Sequence, residues 1–183
     1  FPNNITGTGT ATVRLFKPLV EVTKVCDPLS KTTDDLNCTV TVKNTGSNST
    51  PNLTFDQDVT KGLVDSIVGD LLVANGALTR GTKLATSTCF RNTSLALGAS
   101  CKVDYKFTVL DTDGTPIPGT NGDRYLVNTA IAHANPSGFP NDITDMDSWR
   151  TTLFRPSLGL DHTCDPLSKL DRKSTRLNSS HIT

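Results

Sequence analysis

The sequence predicts an all-β chain, folded as an antiparallel β-sandwich and serving as one unit of a tandem repeat. Composition is the first sign: of 183 residues, Thr occurs 29 times and Asp 17 times, whereas Glu21 is the single glutamate and Met146 the single methionine. Threonine suits a half-buried pleated surface and aspartate suits turns, while two of the residues favoured on exposed helix are almost missing. The second sign is period-two alternation of apolar and polar residues, interrupted by Gly, Pro and Asn clusters. The third is self-similarity. Phe1-Pro2-Asn3-Asn4-Ile5-Thr6 returns as Phe139-Pro140-Asn141-Asp142-Ile143-Thr144, and Cys26-Asp27-Pro28-Leu29-Ser30-Lys31 returns unchanged from Cys164 to Lys169, both 138 residues later. Fourteen of 31 positions agree without a gap, which marks a tandem array.

In order along the chain, Val20-Glu21-Val22 reads as a short strand. Cys38 to Lys43 alternates and stops at Asn44-Thr45-Gly46, a strand followed by a turn. Leu53-Thr54-Phe55 is a further strand, whereas Gly62 to Leu84 reads either as strand or as a short helical crossing. Cys101 to Val109 alternates for nine residues and ends at Asp111-Thr112-Asp113-Gly114, the clearest strand of all. Tyr125 to Ala132 and Thr151 to Phe154 complete the set, and several short strands with turns between them make a sandwich.

The repeat sets the boundaries. Residues 1–18 close a preceding unit, 19–156 form one whole unit, and 157–170 open the next, with Lys17-Pro18 and Arg155-Pro156 at equivalent junctions. Residues 171–183 break the repeat abruptly and look like one translated frame of a common sequencing adapter, so their basic side chains are excluded from functional reasoning. The chain starts at Phe1 without a basic-then-apolar leader, which in a fragment says nothing about compartment.

Val22-Thr23-Lys24, Cys38 to Gly46 and Lys61-Gly62-Leu63 resemble, in this order, the opening strand, the Asn-Thr-Gly strand and the Gly-Leu turn of the DUF11 repeat domain of bacterial and archaeal cell-surface proteins. Leu97-Gly98-Ala99-Ser100 and Tyr125-Leu126-Val127-Asn128-Thr129-Ala130 are similar to its later loop and strand. Leu97-Gly98 stands where Pro-Gly is usual, and the cysteines are extra. The resemblance implies an immunoglobulin-like sandwich, outside the cell, with no catalytic residues to carry over. It assigns an architecture and no ligand.

Cys26, Cys38, Cys89 and Cys101 fall inside the unit, and both the 26–38 and the 89–101 spacing equal 12. An even number of cysteines in a Thr-rich sandwich favours disulfides and an oxidising compartment. The preferred pairing is 26–38 with 89–101, each stapling neighbouring strands. The rival is 38–101, since both residues share the parity of their strands' apolar face. Zinc is the poorer reading, with no Cys-x-x-Cys pair and His133 the one histidine of the unit.

Asp142, Asp145 and Asp147 are the best of several weak calcium candidates because they lie near the unit junction. Asp56 with Asp58, and Asp111 with Asp113, read as turn aspartates, and none of these segments supplies a full calcium loop. Asn4, Asn37, Asn48, Asn52 and Asn92 begin glycosylation triplets that arise easily by chance in so Thr-rich a chain. Enzyme signatures fail on inspection: there is no nucleophile elbow, zinc-helix motif or phosphate loop. An intramolecular Lys–Asn isopeptide bond is not expected, because it needs a buried carboxylate beside the pair and sequence does not show burial.

Eighteen basic and 18 acidic residues leave no net field to draw nucleic acid, and no apolar run is long enough to insert in a membrane. The expectation is therefore a non-catalytic spacer without cofactor, secreted or on the cell surface, whose partners are the neighbouring repeats. Two alternatives stay open: an adhesion or carbohydrate-binding module, with Trp149 beside Asp145 and Asp147 as the place to look, and an accessory domain of a larger extracellular enzyme.

Overall fold

The computed structural model describes residues 2–73, 76–156 and 158–163. Phe1, Cys164 and the adapter-like tail lie outside them. The strands are β1 (Val20–Cys26), β2 (Leu29–Lys31), β3 (Asp35–Asn44), β4 (Leu53–Phe55), β5 (Leu63–Asp65), β6 (Gly69–Asp70) and β7 (Ala77–Leu78). There follow β8 (Gly81–Lys83), β9 (Ser94–Leu95), β10 (Ser100–Thr108), β11 (Thr115–Pro116), β12 (Arg124–Pro136) and β13 (Ile143–Phe154). No helix occurs among the described residues.

Two sheets result, one ordered β1-β3-β10-β8-β7 and the other β2-β13-β12-β4-β9, with β5 and β11 also on β12 and β6 on β5. Pairing is antiparallel throughout except between β2 and β13. Alternation decides the inner face. In β3, Leu36, Cys38, Val40 and Val42 point inward, and in β10 Cys101, Val103, Tyr105 and Phe107 do so. Leu53, Phe55, Leu63, Ala130, Ala132 and Leu153 meet them from the other sheet. Each fully buried Val, Leu or Phe stabilises the fold by about 1.5–3 kcal/mol.

The layers are tied where the chain leaves β1. After Cys26 it crosses from one sheet to the other and enters β2 alongside β13. The Thr151 hydroxyl donates to the Asp27 carbonyl at 2.7 Å, and the Thr152 amide donates to the Pro28 carbonyl at 3.0 Å. These bonds hold the crossing.

One open reading is decided and one element differs from the sequence expectation. Gly62 to Leu84, read as strand or helical crossing, forms the short strands β5 to β8. At its sharpest point Gly81 has φ +125°, and a Cβ there would stand 2.3 Å from the Lys106 carbonyl oxygen. Only glycine lets β8 approach β10 so closely. β13 begins at Ile143, well before Thr151, so the acidic stretch is strand. Its polar pattern hides this because inward-facing Asp145 and Asp147 meet backbone amides of β1 instead of apolar side chains.

Residues 2–18, the counterpart of 140–156, form no strand and are mostly exposed. β13 itself is held between β12 and β2. The earlier segment touches the unit through Lys17, bonded to Ser47, and through Phe16, whose ring packs edge-on to Phe139 at 4.9 Å.

Candidate functional site

Cys26 and Cys38 face each other in the β1–β3 register and are disulfide-bonded, as are Cys89 and Cys101. The second bond joins a loop to β10 rather than two strands. The 38–101 alternative does not form. β3 and β10 are neighbours in one sheet, with Cys38 opposite Tyr105 and Cys101 opposite Val42, so the two sulfurs point inward side by side instead of across the core.

The acidic candidates do not converge. Asp145 accepts a hydrogen bond from the Val22 amide and Asp147 from the Lys24 amide, each at 2.7 Å, closing the sandwich along β1. Asp142 pairs with His133 at 2.9 Å on the surface. Asp58 caps its own turn at Thr60, and Asp113 pairs with Arg80. Among the described residues no three His, Cys, Asp or Glu side chains group as a metal site. Trp149 packs against the core.

What sequence reasoning missed lies between the sheets. Lys24 occupies an inward position of β1 between Val22 and Cys26, and its side chain is fully buried, as is that of Asp65 at the end of β5. The Lys24 amine donates to Asp65 Oδ2 at 2.5 Å and to the Tyr105 hydroxyl at 2.5 Å, and that hydroxyl donates to Asp65 Oδ2 at 2.5 Å. Asp65 Oδ1 accepts the Ile67 and Val68 amides at 2.9 and 3.0 Å, which fixes the carboxylate.

Asn128, inward on β12, completes the group. Its amide nitrogen donates to the Tyr105 hydroxyl at 3.3 Å, and its carbonyl oxygen accepts the Ser66 hydroxyl at 3.0 Å. Burial, opposed by Asp65, holds the Lys24 amine below the usual lysine range. Burial first and Asp65 second push the Tyr105 hydroxyl far up, so it stays protonated. The arrangement is a water-excluded amine, carboxylate, phenol and carboxamide drawn from both sheets. The signal in the sequence was polar side chains at inward parity: Lys24, Tyr105 and Asn128 each stand two residues from buried neighbours on their strands.

Lys83 is the useful contrast. Burial lowers its pKa too, yet its amine donates to the carbonyls of Leu71, Val73 and Cys89 at 2.9, 3.3 and 2.7 Å, three backbone acceptors and no side-chain carboxamide. It ties a loop down.

No family model, no curated protein and no solved structure matches the chain.

Proposed function

We propose that the chain is a piece of a secreted or cell-surface protein in which immunoglobulin-like units of the DUF11 type act as non-catalytic structural spacers, residues 19–156 being one unit. The observation that carries this reading is the repeat of 138 residues together with the lack of strand structure over residues 2–18. A segment matching β13 stays without strand partners when the rest of its unit is missing, which is how a neighbouring repeat's last strand behaves. Two disulfides suit an oxidising exterior. The aspartates that a lectin-like corner near Trp149 would use are engaged with β1, so the spacer reading is favoured over the binding one.

Single-molecule pulling tests it. Copies of residues 19–156 joined end to end and oxidised are expected to stretch in discrete steps, each unit resisting until its β12–β13 ladder gives way. Smooth extension like that of an unstructured chain would overturn the spacer reading.

A further inference from the structure

We propose that Lys24 and Asn128 become joined by an intramolecular isopeptide bond, in which the Lys24 amine nitrogen attacks Cγ of Asn128 and ammonia departs. The bond formed is Nζ–Cγ and the bond broken is Cγ–Nδ2. One proton leaves Nζ and one reaches the departing nitrogen, so the step needs no oxidant, reductant or outside co-reactant.

Each requirement has a named group. The nucleophile must be a neutral amine, and burial favours that form in Lys24. The electrophile must be within reach: the amine and the Asn128 amide nitrogen share the Tyr105 hydroxyl, so they are no further apart than two hydrogen bonds of 2.5 and 3.3 Å laid end to end. Charge developing on the Asn128 oxygen meets the Ser66 hydroxyl at 3.0 Å. Asp65, touching the amine, takes the proton. Tyr105, touching Asp65 and the amide nitrogen, relays it to the leaving group.

The surroundings argue in the same direction. Lys24 and Asn128 are each 2 % exposed, so water has little access to compete as nucleophile. As a mere ion pair, Lys24 and Asp65 would carry a desolvation cost that their attraction barely offsets. Conversion of the amine to an amide removes that charge. Lys83, also buried but surrounded by backbone carbonyls, has no such outlet. The position matching Lys24 in the next repeat is His162, so the bond belongs to this unit and not to every unit of the array.

The product links β1 of one sheet to β12 of the other and closes residues 24–128 into a covalent ring. Only the mechanical consequence, tension passing from β1 directly to β12, rests on the spacer reading. The chemistry is tested separately.

The experiment is intact-mass measurement of the full chain, oxidised and folded by near-ultraviolet circular dichroism, followed by peptide mapping. The expected mass lies below that of the disulfide-bonded sequence by one ammonia, with a branched peptide joining Lys24 to Asn128. Lys24→Met and Asn128→Ala restore the full mass, Asp65→Asn leaves the chain unlinked, and Lys83→Met keeps the link. Asn128→Asp forms the same bond with loss of water. Full mass in the folded, oxidised wild-type chain overturns the proposal, and so does loss of water with a link from Lys24 to Asp65. Neither result depends on whether the chain is a spacer.

Discussion

Reducing the two disulfides removes cross-links without changing any side chain's position in the sequence, which makes their contribution separable from packing. Cys26–Cys38 and Cys89–Cys101 each close a loop with a sequence separation of 12, and the loops do not overlap. Each cross-link stabilises by about 3 kcal/mol in the chain-entropy model, and non-overlapping loops contribute nearly additively. For a domain of this size 1 kcal/mol moves Tm by roughly 3–5 °C, so each bond is worth about 10 °C. The first bond guards the crossing of the chain from β1 to β2, and the second holds the loop whose Cys89 carbonyl accepts the Lys83 amine and whose Arg91 donates to the Asp56 carbonyl. Differential scanning calorimetry with and without reductant reads the effect, and Cys89→Ala with Cys101→Ala isolates the second bond. A reduced Tm within about 2 °C of the oxidised one would refute the reasoning.

Asp145→Ala leaves the Val22 amide unpaired at the closed edge of β1 and should cost about 1–3 kcal/mol, whereas Asp142→Ala, which removes only the surface pair with His133, should cost less than about 1 kcal/mol; urea unfolding compares them. Arg80 and the Leu110 amide hold the Asp113 carboxyl below its ordinary pKa despite partial burial. A carboxyl with a lowered folded-state pKa contributes stability above its unfolded value that is lost as pH falls through the folded one, so Asp113→Asn should flatten the loss of stability below about pH 4 in an acid titration followed by circular dichroism. Gly81→Ala forces a Cβ against the Lys106 carbonyl at a positive φ and should destabilise by on the order of 2–3 kcal/mol in the same urea assay.

The strands that pack by alternation alone were legible: β3 and β10 show their inward residues in plain period two, and of the two pairings left open for Cys38 the preferred one, with Cys26, is formed. The first half of β13 was not, because Asp145 and Asp147 occupy inward positions where apolar residues would have announced a strand. Their partners are backbone amides of Val22 and Lys24, more than a hundred residues away. The buried cluster was hidden for a related reason. Asp65 lies in the stretch Gly62 to Leu84, whose brief strands leave no period to read, so nothing in the sequence placed a carboxylate beside Lys24. Lys24 continues the inward parity of Val20 and Val22, and together with Tyr105 and Asn128, polar residues at inward positions of readable strands, it was the signal from which the site could be found.

Limited proteolysis of the oxidised chain, followed by non-reducing peptide mapping, tests most directly that one closed, stapled unit spans residues 19–156. The expected result is early cleavage before residue 19 and after residue 156, leaving a resistant core that carries the 26–38 and 89–101 links. Early cuts between Val20 and Phe154, free thiols, or a 38–101 link would contradict it.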